Sequence, residues 1–199
     1  MGLKMSRKKK PEVKTMINAT TRAPIFKTVL VGEGGVGKTS ITLRYTEDRF
    51  DENMMLTIGA NFASKRIDLN GSAMTLMIWD LGGQPRFRDV IGDYFKGAKI
   101  AIAVCDVTRS YSLARLTDWL DRLKECAPES ELLVVGNKTD ERTNGTGVSP
   151  EEGQQFAEKY GAQYVEVSAK TGEGINSMFE RVAQQLAKKY LGQTEGCAA

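Results

Sequence analysis

The chain reads as an α/β protein, a doubly wound, mostly parallel six-stranded sheet with one antiparallel strand and helices on both faces. Three observations carry this reading. Short apolar runs alternate with segments of helical period, the pattern of strands joined by crossover helices. Two of the runs are separated only by Asn70-Gly71, the favoured two-residue hairpin turn, so that pair is antiparallel. The first run, Ile25–Val31, leads straight into a glycine-rich turn followed by a helical segment.

In chain order, residues 1–24 form a basic tail ahead of a domain over 25–191, and 192–199 form a short C-terminal tail. Ile25–Val31 is a first, central strand covered on both faces. A helix is expected over 37–46, then a long loop over 47–57, and such a loop inside a compact domain is usually functional. Strands over 60–69 and 74–80 flank the hairpin turn, and a second glycine-containing loop follows over 81–88. Residues 100–104 are a continuous apolar strand. Leu113, Leu116, Leu120 and Leu123 share a helix face, with Ser110 or Ser112 as a candidate cap. A strand over 131–135 is expected to stop at Gly136. Ser149-Pro150-Glu151-Glu152 combines an N-cap, proline at the first helical position and a capping-box glutamate, and Gly161 ends that helix. A last strand covers 164–167. Ile175, Phe179, Val182, Leu186 and Tyr190 form the buried stripe of a final helix.

The net charge of +3 conceals an asymmetry. Residues 1–24 carry seven Lys/Arg and one acid, leaving 21 bases and 24 acids to the rest. The mildly acidic body argues against nucleic-acid binding. The chain has no histidine, which excludes Ser-His and Cys-His nucleophiles and His-ligated metals. Cys105, Cys126 and Cys197 show no metal-ligand spacing and fit a reducing cytoplasm. No apolar run reaches the length of a membrane span.

The stretch Gly32-Glu33-Gly34-Gly35-Val36-Gly37-Lys38-Thr39, continued by Ser40, has the composition of a phosphate cradle. Glycines let backbone N–H groups close on an anion, and a helix N-terminus adds partial positive charge. Lys38 is placed to reach the terminal phosphates, and Thr39 to bind Mg²⁺. Other loops follow strands and so gather at the same sheet edge. Thr57, in the long loop, and Asp80, acting through water, complete a hard-oxygen set for Mg²⁺ with Thr39. Gly83 and Thr57 offer N–H donors to a γ-phosphate, and Gln84 can orient a hydrolytic water. Asp140, in Asn137-Lys138-Thr139-Asp140, can accept two adjacent N–H groups on a base edge, which guanine presents and adenine does not. Ser168-Ala169-Lys170 follows the last strand.

With these motifs in order over residues 25–191, the chain strongly resembles the Ras superfamily of small GTPases, whose fold is that of the P-loop NTPases. Leu56-Thr57-Ile58-Gly59, Trp79-Asp80, Gln84-Pro85-Arg86-Phe87-Arg88 and Asp106-Val107-Thr108 look Rab-like. The resemblance implies GTP and GDP as substrate and product, Mg²⁺ as cofactor, and slow hydrolysis that works a switch. Lys38, Thr57 and Gln84 then carry catalysis. Phe50 would pack against the guanine edge, Asn137 and Lys138 would hold and cover the base, and the Ala169 N–H would meet the guanine carbonyl. The loops over 47–62 and 81–95 would be the switches, with Ile58, Phe62, Trp79 and Tyr94 presented to effectors, or alternatively packed in the core. An activating protein supplying arginine, an exchange factor and effectors are implied for a monomeric protein.

The sequence departs from that pattern at three places. Gly82 replaces the usual alanine and makes Leu81-Gly82-Gly83-Gln84 look Arf-like, with added backbone freedom. Pro85 replaces a glutamate and biases Gln84 away from the α region. Met54 stands where Ras has a tyrosine over the phosphates. Met1-Gly2-Leu3-Lys4-Met5-Ser6 matches an N-myristoylation pattern. With Arg7-Lys8-Lys9-Lys10 it would make residues 1–14 a peripheral anchor on anionic membrane, unless the tail merely solubilises. Cys197 has two residues after it rather than three, so prenylation is not expected. Two rivals stay open: a nucleotide-holding scaffold without turnover, which Gln84 argues against, and an adenine-specific ATPase, which Asp140 argues against.

Overall fold

A computed structural model describes residues 23–69, 71–84, 91–143 and 146–192. The basic tail up to residue 22, the Pro85 segment and Cys197 lie outside the described residues. The elements run β1 Ile25–Val31, α1 Lys38–Glu47, β2 Ala60–Leu69, β3 Ser72–Leu81, α2 Ile91–Phe95 and β4 Ile100–Asp106. They continue with α3 Ser110–Ala114, α4 Leu116–Cys126, β5 Glu131–Asn137, α5 Pro150–Lys159, β6 Gln163–Val167 and α6 Ile175–Tyr190.

The six strands form one sheet in the order β2-β3-β1-β4-β5-β6. Only β2 and β3 pair antiparallel, and their register of Leu69 opposite Ser72 leaves a two-residue turn. β1 lies between parallel neighbours β3 and β4. Side chains alternate across a strand, so each central strand feeds two cores. Leu30, Ile102 and Val135 join Ile41 of α1 and Phe179, Val182 and Leu186 of α6 on one face. Val29, Ala103 and Val134 join Phe95, Leu116, Leu120 and Ala157 on the other. Helices therefore cover both faces. Among the described residues no helix is long and apolar enough to cross a membrane.

Local chemistry accounts for both ends of α5. The Glu152 N–H donates to Ser149 Oγ at 3.2 Å and the Ser149 N–H to Glu152 Oε2 at 2.8 Å, closing the capping box ahead of α5. Gly161, with φ of 67°, follows the end of that helix. Two expectations need correction. The leucine-patterned helix is divided into α3 and α4, and neither serine caps it. Ser112 Oγ instead accepts from the Asp106 N–H at 2.9 Å and donates to the Arg109 carbonyl at 2.7 Å, inside the turn. Likewise β5 runs through Gly136 to Asn137. A Cβ on Gly136 would come within 2.2 Å of Tyr164 Oη, so this glycine makes room for a neighbouring ring and does not end a strand.

Candidate functional site

Both ends of the expected site open into a single cleft of about 340 Å³. Its walls include Gly34, Gly35, Gly37, Lys38, Thr39 and Ser40 at one end and Asn137, Lys138, Asp140, Ala169 and Lys170 at the other, with Phe50, Met54, Thr57, Gly83 and Gln84 between them. The loops carrying these residues are rooted in one apolar layer, since Val36 and Ala169 are both buried in the core beneath α1 and α6. Glu33 lies beside Lys38, and Ser168 is buried behind the far wall.

At the phosphate-loop end, Gly35 and Gly37 adopt φ of 74° and 95°, the left-handed region that glycine enters without strain. Lys38 is buried and its Nζ donates to the carbonyls of Gly32 at 2.8 Å and Glu33 at 2.9 Å. Burial pulls its pKa from 10.5 down to about 8, and the charges of Asp80 and Glu33 oppose that only in part. Such a lysine gains from any further anion brought beside it.

Next to it, Thr39 Oγ1 donates to Asp80 Oδ2 at 2.5 Å and lies 2.7 Å from Thr57 Oγ1. The long loop and the end of β3 thus each bring one expected magnesium ligand, Thr57 and Asp80, onto the third, Thr39. Asp80 is 1% exposed, and its Oδ1 is buried and accepts no hydrogen bond. Burial raises its pKa, against the pull of the Thr39 hydroxyl, the Lys38 charge and the Asn61 side chain. A carboxylate and two hydroxyls joined in a chain through Thr39, with a carboxylate oxygen left over, is a donor set that suits a hard divalent cation; the residues fit Mg²⁺.

Gly83 packs directly on the phosphate loop, where a Cβ would fall 2.4 Å from Glu33 C and Gly34 N. Gly82, expected to free its loop, is closely packed here. Its N–H donates to the Gly59 carbonyl at 2.7 Å, and a Cβ there would meet the Thr57 carbonyl oxygen at 2.7 Å. The absent side chain lets the two glycine-bearing loops touch.

At the opposite end the side chains are tied mostly to one another. Asn137 Nδ2 donates to the Val36 carbonyl at 2.8 Å, and its Oδ1 accepts the Ala169 N–H at 3.1 Å. The Ala169 amide expected to face a base carbonyl is therefore engaged by Asn137, which clamps the phosphate loop to the last loop. Asp140 Oδ1 accepts from Ser168 Oγ at 2.5 Å, so one carboxylate oxygen is oriented by the neighbouring loop. Lys170 pairs with Glu52 of the long loop at 3.0 Å. Lys138 adopts φ of 70° and its Nζ lies 2.7 Å from Asp106 Oδ2. Although burial disfavours the charged form, hydrogen bonds from Lys138 and Thr108 keep Asp106 below the ordinary carboxylate range.

Comparison with known proteins agrees with this geometry. A family model described as "Ras family" matches residues 27–188. Relatives include the Ras-related protein SEC4 of Candida albicans, 36% identical over 173 residues, which are 86% of this chain and 82% of that protein. The Ras-related protein Rab-18-B of Danio rerio is 38% identical over 163 residues, 81% of this chain and 78% of that protein. The chain belongs to the Ras family.

Two residues behind the cleft of this Ras-family chain were not legible as site residues in the sequence. Arg44 of α1 donates from Nε to the Ala169 carbonyl at 3.0 Å and from Nη2 to the Lys170 carbonyl at 2.8 Å, holding the last loop from beneath. Arg142 Nη1 donates to Glu166 Oε2 at 2.8 Å and steadies the chain just after Asp140. Neither belongs to a motif, and no local signal marks them. On the outer surface Phe62 stands edge-on to Trp79 at 4.7 Å, and Trp79 edge-on to Tyr94 at 6.0 Å. Phe62 is 58% exposed and Ile58 71%, so core packing does not account for them. Met55 and Leu56 of the long loop are exposed as well, but they line the cleft, Leu56 over Gly34 and Gly35.

Proposed function

We propose that this small GTPase is a Rab-like switch that binds GTP and GDP and hydrolyses GTP slowly with Mg²⁺. The observation that carries the reading is the single cleft with Lys38, Thr39 and Thr57 at one end, Asp80 buried behind Thr39, and Asn137, Lys138 and Asp140 at the other. In it, backbone N–H groups of residues 33–40 and Gly83 bind the phosphates, with Lys38 supplying positive charge. Thr39, Thr57 and Asp80 would hold Mg²⁺, which neutralises charge on the phosphates when bound. Asp140 selects guanine through its paired N–H groups, with Phe50, Asn137, Lys138, Ser168, Ala169 and Lys170 framing the base. Gln84, at the cleft wall, orients the attacking water.

Loss of the γ-phosphate would release the loops around Thr57 and Gly83, and with them the strip of Ile58, Phe62, Trp79 and Tyr94 offered to effectors. An activating protein, an exchange factor and effectors in membrane traffic or signalling are the partners this chemistry calls for. The Leu81-Gly82-Gly83-Gln84 sequence adds an Arf-like second switch. A cytoplasmic protein with a basic tail, residues 1–14, could also meet anionic membrane. Calorimetry of nucleotide-stripped protein with Mg²⁺ tests the core claim. GDP is expected to bind at sub-micromolar concentration and ADP not at all; equal binding of both would sink guanine selectivity.

A further inference from the structure

Asp106 ends β4 and pairs in register with Asn137, the first residue of the Asn-Lys-Thr-Asp segment. It is fully buried, yet its carboxylate is saturated with donors. Oδ1 accepts the Thr108 N–H at 3.0 Å and the Thr108 hydroxyl at 2.6 Å. Oδ2 takes Arg109 Nε at 2.8 Å and Lys138 Nζ at 2.7 Å. The Thr108 and Arg109 contacts come from its own turn and satisfy the carboxylate as a local feature. Lys138 reaches it from a different strand end.

Lys138 is an unlikely place for a relaxed lysine. Its backbone is left-handed, at φ 70° and ψ 38°, a conformation that costs a side-chain-bearing residue energy. The other described non-glycine residue at positive φ is Asp48, beyond the end of α1. A lysine stem is also among the most flexible of side chains. Here it is fixed at both ends, by the left-handed backbone and by the ion pair to Asp106, and the residue lines the cleft.

We propose that Asp106 is a positioning residue for nucleotide retention: it holds the Lys138 stem against the base before the nucleotide arrives. The inference rests on reading the cleft as a guanine-nucleotide site and adds a residue that belongs to none of the loops contacting the ligand. A wall held in place beforehand spares the complex the entropy of ordering it, and this appears as slower release. Substituting the carboxylate by an amide turns an N–H₂ group toward either Lys138 and Arg109 or Thr108. The Thr108 hydroxyl can turn to accept but its N–H cannot, so one remaining oxygen cannot serve the other donors, and Lys138 loses its counter-charge while volume is kept.

The test is release of fluorescently labelled GDP from the full chain, in Mg²⁺ with excess unlabelled GDP. Asp106→Asn is expected to release about tenfold faster, in the range of coupled contact pairs. Lys138→Met, which keeps the stem and loses the tether, should match it, and the double variant should be no faster than either. Release by Asp106→Asn within twofold of the parent, or multiplying effects in the double variant, overturns the proposal, since a merely structural role would act independently of Lys138. Should Asp106→Asn fail to fold, Lys138→Arg against Lys138→Met decides. Arginine keeps a cation for Asp106 and should restore slow release; equal release from both variants overturns the idea. A parent protein that binds no GDP refutes the function itself, before any variant is compared.

Discussion

At Lys38 a buried ammonium is satisfied by two backbone carbonyls and has its pKa held near 8 by burial. A bound phosphate would raise that pKa again, so binding and proton uptake are linked. The sign follows: the favourable interaction is fully present below about pH 8, where the free protein already carries the proton. It is lost as pH rises toward the pKa of the complex. GDP affinity should therefore be flat from neutral pH to about 8 and then fall by up to about tenfold per pH unit. Titrations kept below the range where guanine loses its own N1 proton check this, and an affinity unchanged to pH 9 would contradict the role given to Lys38. Gln84 carries the second residue-scale expectation. Turnover without an activating partner should be on the order of 10⁻⁴–10⁻³ s⁻¹. Gln84→Leu should slow a single turnover about tenfold or more while leaving GDP affinity within about twofold. Equal rates would favour a scaffold that holds nucleotide without using it.

Among the elements, β5 shows how packing overrides a local signal. Gly136 reads as a strand breaker, yet it lies within the ladder because Tyr164 of β6 needs the space. Gly153 of α5 faces the same ring, with a Cβ position 2.2 Å from Tyr164 Cζ. One tyrosine thus sets the approach of a strand and a helix. Gly136→Ala should destabilise the fold by about 1–3 kcal/mol, the usual cost of overpacking. Because the nearest clash is with the phenolic oxygen, Tyr164→Phe added to it should recover part of that loss, whereas alone it forfeits the 2.9 Å hydrogen bond to Glu166. Urea unfolding of the two single variants and the double variant measures the coupling, and strict additivity would mean the ring is not the obstacle.

For the whole molecule, the loops of the cleft belong to both halves of the sheet, and few direct contacts join them. Asn137 bridges the phosphate loop to the last loop, Thr39 bridges α1 to the Thr57 loop and β3, and Arg44 bridges α1 to the Ala169 loop. A ligand spanning the cleft adds to every one of these bridges at once, so it should stabilise the entire fold. At ligand a thousandfold over its dissociation constant the gain is about 4 kcal/mol, or a rise in Tm of about 8–16 °C for a domain of this size. Mg²⁺·GDP should give that rise in a thermal melt, and chelating the metal should remove part of it; no shift would mean that the folded chain does not bind the nucleotide. The charge asymmetry yields a separate expectation. Full-length protein should sediment with anionic vesicles at low salt and leave them at high salt. Replacing Arg7, Lys8, Lys9 and Lys10 together should abolish the binding; binding retained without them would assign it to another surface.

By itself the sequence determined whatever depends on a few neighbouring residues. Alternating and helical periods placed all six strands and the α1, α5 and α6 helices. Asn70-Gly71 set the one antiparallel pair, Ser149 to Glu152 set a helix start, and the glycine-rich run marked the loop that brings Lys38 and Thr39 into the cleft wall. These signals survive in sequence because turn chemistry and side-chain period act over a handful of bonds. Tertiary structure alone decided that Ala169 gives its amide to Asn137, that Gly82 and Gly83 are small so that neighbouring loops can meet, that Arg44 supports the Ala169-Lys170 loop, and that Lys138 is tied to Asp106. Each is a contact between residues distant along the chain. Whether such groups fall within hydrogen-bonding reach is settled only when the strands pair and the helices close over them.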